Sequence, residues 1–246
     1  MRNYINLFAV ILISFYGCVN NSNQRIPGQP YTEFEGTPQN GVKKIYNAEG
    51  KLETEVPYKD SLPNGIQKEY YKTGELFRET PFINGLANGM VKEYNKKGKT
   101  YREMPVTNGK ANGIVKKYYE NGMLFSEAPF IDGQPVAGLK EYDNKGNLIS
   151  QPKLIFKAKN MTKIDGTYEL EISLSDQYIK PLYYQILVFE DKEMPTKLET
   201  RNGNGLFKIT VPQGSILTRR LTFEARYTTA RNNTCIIRDK FDVAIN

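Results

Sequence analysis

Histidine and tryptophan are absent from the 246 residues, and cysteine occurs only twice, at Cys18 and Cys235. Without histidine there is no imidazole base, no His-containing metal site and no Ser-His-Asp or Cys-His nucleophile pair. Two cysteines are too few for a thiolate zinc centre and allow at most one disulfide. Basic residues outnumber acidic ones by 34 to 27, giving +7, but the signs alternate along the chain and no basic block forms. Binding to nucleic acid is therefore not expected, since its electrostatic footprint is clustered. Long apolar runs are also missing: the run from Leu7 to Phe15 falls well short of the roughly 20 residues that a membrane-crossing helix needs. The glycine-rich RNGNG lacks the Lys-Ser/Thr of a phosphate loop and reads as a turn. Paired carboxylates are the chemistry left over. Glu69, Glu79, Glu93 and Glu103 are the ones to weigh, yet each faces or neighbours a lysine in a recurring column, whereas a catalytic site is singular. A protein that is not an enzyme, with no cofactor and no metal, is the expectation.

The first residues, MRNYINLFAVILISFYGC, place Arg2 before the apolar run and Gly17-Cys18 after it, which is the layout of an export signal. The small residue followed by cysteine resembles the lipobox of bacterial lipoproteins. That resemblance implies that residues 1–17 are removed and that Cys18 becomes the lipidated first residue. It also implies a chain held by its lipid at a membrane of the bacterial cell envelope, with the outer membrane as the expected site. Residues 18–40 open with the polar VNNSNQRIPGQP and are expected to form a flexible tether. Cys235 is then left without a partner; in the strand-like TCIIRDKFDVAI it reads as a small buried hydrophobe.

What the sequence has in quantity is repetition. GIQKEYYKTGELFRETPFINGLAN, residues 65–88, is followed by GMVKEYNKKGKTYREMPVTNGKAN, and the period of 24 runs without insertion from residue 41. The lead position reads Gly41, Gly65, Gly89, Gly113 and Ala137. Lys44, Lys68, Lys92, Lys116 and Lys140 form one column, and Tyr46, Tyr70, Tyr94, Tyr118 and Tyr142 another. Gly50, Gly74, Gly98, Gly122 and Gly146 form a third. Glu55, Glu79, Glu103 and Glu127 follow, then Pro57, Pro81, Pro105 and Pro129. Four copies (41–64, 65–88, 89–112, 113–136) and a partial fifth (137–150) make one repeat region, 41–150. Each copy reads as a β-hairpin: a strand, a two-residue turn at Thr73-Gly74 and its equivalents, and a second strand. That turn would set Tyr70 opposite Phe77 and Lys68 opposite Glu79, a cross-strand pair of opposite charge. The proline column is expected to stop pairing, and Asn84-Gly85, Asn108-Gly109 and Asp132-Gly133 to turn the chain toward the next copy. Tyr71, Phe77, Tyr101, Tyr119 and Phe125 fall on the side away from the Lys and Glu columns. They are either sheet stabilisers or a contact stripe for a protein or a ring-stacked glycan.

The pattern G-x-x-K-x-Y-x-x-x-G-x-L, followed by Glu and then Asn-Gly, resembles the variant form of the MORN (membrane occupation and recognition nexus) repeat. The resemblance implies an elongated, twisted, single antiparallel sheet of successive hairpins. Bacterial proteins of this kind are mostly envelope or secreted proteins, and one branch is known as antitoxins, whose cytoplasmic partner sits poorly with an export signal. After Gln151-Pro152 the period vanishes. KLIFKA, TYELEISL, PLYYQILVFE, GLFKITV, RRLTFEARYTT and CIIRDKFDVAI are short strand-like runs between turn-forming stretches, so residues 151–246 are expected to form an immunoglobulin-like β-sandwich. The whole reads as all-β. The functional expectation is a lipid-anchored envelope protein whose repeats and sandwich bind a protein partner. A module for anionic lipid headgroups or envelope polysaccharide, suggested by the positive charge, is the alternative, and an antitoxin-like protein the second.

Overall fold

A strand of six residues, a tight turn and a strand of eight make up each copy of the repeat, and the pattern recurs because the same turn residues recur. In a computed structural model, which describes residues 26–177, 179–212 and 214–245, the chain is nearly all β. The first strand is β1 (Tyr31–Gly36). The first copy then runs β2 (Gly41–Tyr46), β3 (Leu52–Lys59), β4 (Leu62–Pro63); the second β5 (Gly65–Tyr70), β6 (Leu76–Ile83), β7 (Leu86–Ala87); the third β8 (Gly89–Tyr94), β9 (Thr100–Thr107), β10 (Lys110–Ala111). The fourth copy follows as β11 (Gly113–Tyr118), β12 (Leu124–Ile131), β13 (Gln134–Pro135), and the fifth is reduced to β14 (Lys140–Glu141). All join one antiparallel sheet in chain order, closed at its far end by the bridge Tyr142 to Leu148. The expected export segment, residues 1–17, and Cys18 lie outside the described residues.

The register expected for lysine and glutamate holds, with Lys68 opposite Glu79 and Lys92 opposite Glu103. The turn does not. Gly74 N donates to Tyr71 O and Tyr71 N to Glu75 O, each at 2.8 Å, so the turn is centred on Lys72-Thr73 and Gly74 follows it at φ +103°. This is a three-residue loop whose left-handed glycine forms a bulge. The bulge shifts the register, so that Tyr70 faces Leu76 and not Phe77. The prolines also depart from expectation, since β6 runs on through Pro81 to Ile83. Each proline carbonyl instead accepts from the residue before the next lead glycine, as in Asn88 N to Pro81 O at 2.9 Å. The lead glycines are fixed twice over: Gly89 has φ +119°, and a Cβ there would sit 2.9 Å from Pro81 Cγ. In the fifth copy Gly138 (φ +115°, beside Pro129) takes this role and not Ala137.

The Asn-Gly turns are the second joint. Asn84 and Gly85 both have positive φ, as do Asn108-Gly109 and Asp132-Gly133, the signature of a type I′ turn. Each then bonds backward: Gly85 N to Pro63 O, Gly109 N to Ala87 O and Gly133 N to Ala111 O, all 2.8 Å. The copies are thus stitched together by backbone at both ends, and a small core of Ala87, Val91, Met104, Val106 and Val115 lies under the middle ones. Residues 31–36, expected within a tether, are β1, paired with β2 along its length. Stacking of Tyr31 on Tyr46, centroids 4.6 Å apart, holds it there.

The C-terminal region forms two four-stranded sheets. Its strands are β15 (Leu154–Met161), β16 (Thr167–Leu174) after the short α1 (Thr162–Asp165), β17 (Leu182–Phe189), β18 (Lys192–Lys197), β19 (Glu199–Arg201), β20 (Asn204–Thr210), β21 (Leu217–Thr228) and β22 (Thr234–Ile245). One sheet has the order β15-β16-β20-β19 and the other β18-β17-β21-β22, which is the ABED and C′CFG arrangement of immunoglobulin-like sandwiches. Leu170, Ile172 and Phe207 pack from one sheet against Tyr183, Phe223 and Val243 of the other. β18 and β19, KEMPTK and ETR, are strands that the sequence pattern did not reveal. β18 is an exposed edge strand, where polar residues and Pro195 are tolerated because no core has to be met.

Candidate interaction surface

Side chains alternate across a strand, so the repeat sheet has two faces of different chemistry. On the first, the glutamate column is held less by lysine than by tyrosine. Tyr70 Oη donates to Glu55 at 2.8 Å, Tyr94 to Glu79 at 2.8 Å, Tyr118 to Glu103 at 2.7 Å and Tyr142 to Glu127 at 2.9 Å, each reaching back one copy. The lysines stand farther off: Lys44 is 4.0 Å from Glu55 and Lys116 is 4.0 Å from Glu127. Burial and then the glutamate bond push the phenols of Tyr70, Tyr94 and Tyr118 up to about 12. These replicated columns therefore lock neighbouring copies together. Beside them on the same face, Ile66, Met90 and Ile114 stand opposite Pro81, Pro105 and Pro129, and all three are about half exposed, at 52%, 43% and 50%.

The second face carries the aromatic residues singled out in the sequence. It also shows that the repeat has a doubled period. At the position just after the first strand the copies read Asn47, Tyr71, Asn95, Tyr119, Asp143. Odd copies cap their own turn: Asn47 Oδ1 accepts from Glu49 N and Lys51 N, Asn95 Oδ1 from Lys97 N and Lys99 N, and Asp143 Oδ1 from Lys145 N and Asn147 N. Even copies reach forward: Tyr71 Oη donates to Tyr94 O and Tyr119 Oη to Tyr142 O, both at 2.7 Å. Each of these tyrosines meets a phenylalanine of its own copy, Tyr71 with Phe77 at 5.0 Å and Tyr119 with Phe125 at 4.9 Å. Tyr101, the residue equivalent to Phe77 and Phe125 in a third copy that has Asn95 where they have a tyrosine, is exposed. The five aromatics are thus two platforms and a single ring.

One platform is already occupied. The β21–β22 turn of the sandwich comes down on the fourth and fifth copies, and Arg231 donates to Tyr119 Oη and to Tyr142 O, the latter at 2.8 Å. Its guanidinium lies 4.9 Å from the Phe125 ring centre. Lys117 Nζ donates to Asn233 Oδ1 at 2.8 Å, Asn233 Nδ2 to Glu141 at 2.6 Å and Thr229 Oγ1 to Glu141 at 2.8 Å. Burial lowers the Lys117 pKa, and Glu141 and Asn233 are almost wholly enclosed. Sequence reading missed this contact. Its one trace is Lys117, the basic member of a column that reads Ile45, Glu69, Glu93, Lys117, Glu141. On the sandwich side, Cys235 is buried and free, as its setting in β22 suggested.

With this geometry in view, the matches to known families fall into place. The MORN repeat variant matches this chain three times. The matched residues are 39–60, 63–84 and 111–132, roughly a quarter of the sequence. The third copy lies outside them, yet its strands and turns repeat those of its MORN-like neighbours residue for residue. No curated protein shows significant similarity. Among solved structures, a crystal structure of a tetra-tandem repeat in the extending region of a large adhesion protein aligns at 12% identity, over 89% of this chain and 74% of that one, with a TM-score of 0.23. That score is too low to carry an argument.

Proposed function

We propose that this chain is a non-enzymatic interaction protein of the bacterial envelope, held to a membrane by a lipid on Cys18, whose MORN-like array docks a protein partner. One observation carries the reading: Ile66, Met90 and Ile114 present an apolar side chain outward at the same register in three successive copies, each beside a proline. Strands lie about 4.8 Å apart, so two strands per copy give this row a pitch of about 10 Å. An ordered apolar row on an otherwise charged sheet suits a partner that binds through several weak, evenly spaced contacts. The Gly17-Cys18 sequence supports the lipid anchor.

The test places a benzophenone amino acid at position 90 in living cells. A crosslinked protein that persists at about 0.5 M salt, where exposed charge pairs are screened, and that disappears with Ile66→Lys and Ile114→Lys supports the proposal. Crosslinks only to lipid or polysaccharide, or capture lost on raising the salt, would favour a headgroup or polymer ligand and end it. The anchor is tested separately: an alkyne fatty acid should label the wild type and miss Cys18→Ser.

A further inference from the structure

The two Tyr–Phe platforms share one construction, and Arg231 of the sandwich closes only the second. In both, the tyrosine N donates the same turn-closing bond at 2.8 Å, to Glu75 O or Met123 O, and the tyrosine hydroxyl donates to the carbonyl of the next copy's tyrosine at 2.7 Å. In both, the phenylalanine ring stands at 4.9 to 5.0 Å. On the second platform these groups form an arginine site: a ring centre 4.9 Å from the guanidinium, with a hydroxyl and a carbonyl to receive its N–H groups. On the first platform the cations come from the array itself. Arg78 stands 5.1 Å from the Phe77 ring centre, and the exposed Lys96 leaves its ammonium 5.8 Å from Tyr71.

We propose that Tyr71 and Phe77, with the Tyr94 carbonyl, form a second arginine-docking site, which takes an arginine presented on a tight β-turn of a partner protein. The Arg231 turn of the same chain is committed to Tyr119 and Phe125, so the occupant comes from another molecule. Arginine suits the site better than lysine because its planar guanidinium stacks on a ring while donating in two directions, and an ammonium does only one of these well. The rim differs in the sense a cation needs. Glu75 stands where the occupied site has Met123, and Glu69, paired with Arg78 at 2.7 Å, stands where it has Lys117, so a visiting arginine meets the Glu75 carboxylate and no lysine at the Lys117 place. The inference rests on the interaction reading only in that a partner protein exists, and it uses the opposite face from Ile66, Met90 and Ile114.

The test needs no partner. A cyclic peptide bearing TTARNNT, residues 228–234, is titrated into the full-length chain and followed by amide NMR. Saturable shifts at Tyr71, Phe77 and Tyr94 are expected, weakened about tenfold or more when the peptide carries Ala for Arg and severalfold in a Tyr71→Phe protein. Ile66→Lys should bind the peptide normally, which separates this result from that of the apolar row. Absence of shifts at those residues, equal binding of the alanine peptide, or shifts at Tyr119 and Tyr142 in their place, showing displacement of the chain's own turn, would each overturn the proposal.

Discussion

Tyr94 serves two neighbours, its hydroxyl bonding Glu79 of the copy before and its carbonyl receiving Tyr71. Because burial and the glutamate bond raise Tyr70, Tyr94 and Tyr118 to about 12 from an unfolded value near 10, these three phenols stay protonated in the folded chain after unfolded ones have ionised. Their contribution is complete below about pH 10 and is lost as pH rises toward 12. Phenolate absorbance should show a late-titrating group of tyrosines in the native chain that merges with the others in urea, and urea midpoints should fall over that pH range. Replacing Tyr94 with phenylalanine should cost about 1.5 to 3 kcal/mol in urea unfolding at neutral pH, the worth of a hydrogen bond to a charged acceptor. The two glycine columns make a sharper contrast. Gly98→Ala meets nothing within 4 Å and bears only its φ of +73°, about 1 kcal/mol. Gly89→Ala adds a contact of 2.9 Å with Pro81 to a φ of +119° and should cost about 2 to 3 kcal/mol. Equal losses would show that the proline contact does not constrain the lead glycine.

At the scale of the hairpin, the weakest joint is the first type I′ turn, where Asp60 and Ser61 hold φ of +51° and +65° in place of Asn-Gly. Changing Ser61 to glycine removes a left-handed residue with a Cβ and should stabilise the chain by about 0.5 to 1 kcal/mol, visible as a higher thermal midpoint. Much of this element was readable beforehand. Charge columns at a fixed period gave the pairing of Lys68 with Glu79, because opposite charges and alternation admit few registers. The partner of Tyr70 was misread because Thr73-Gly74 suits both a two-residue turn and the last two places of a three-residue loop, and only backbone geometry separates them. β18 escaped because an edge strand has no apolar alternation to display, and β1 because YTEFEG follows a stretch rich in glycine and proline. The two platforms were half legible. Tyr71, Phe77, Tyr119 and Phe125 stood out as aromatics, but their division into one platform closed by the sandwich and one left to the array's own Arg78 and Lys96 depends on Arg231, which lies more than 100 residues away in a turn whose composition announces only a turn.

For the whole molecule, the Arg231 contact decides whether array and sandwich unfold together. Arg231→Ala removes the donor to Tyr119 Oη and Tyr142 O and the cation over Phe125, so it should split a single unfolding transition into two and open residues 150–153 to proteolysis. A single transition in the variant would mean that the interface is held by other groups. The alternation of Asn47, Tyr71, Asn95, Tyr119 and Asp143 then acquires a meaning for length. The sandwich can seat only where an even copy stands next to last, so the array is a ruler graduated in pairs. Removing residues 113–136 would bring Asn95 and Tyr101 under Arg231, and the junction should fall loose. Removing residues 89–136 shortens the array twice as much, yet delivers Tyr71 and Phe77 to the same spot, and with Glu69→Lys to restore the Lys117 bond to Asn233 the sandwich should dock again. A chain of this design can grow or shrink in evolution by 48 residues at a step without losing its head, and any intermediate length would have to reinvent the joint.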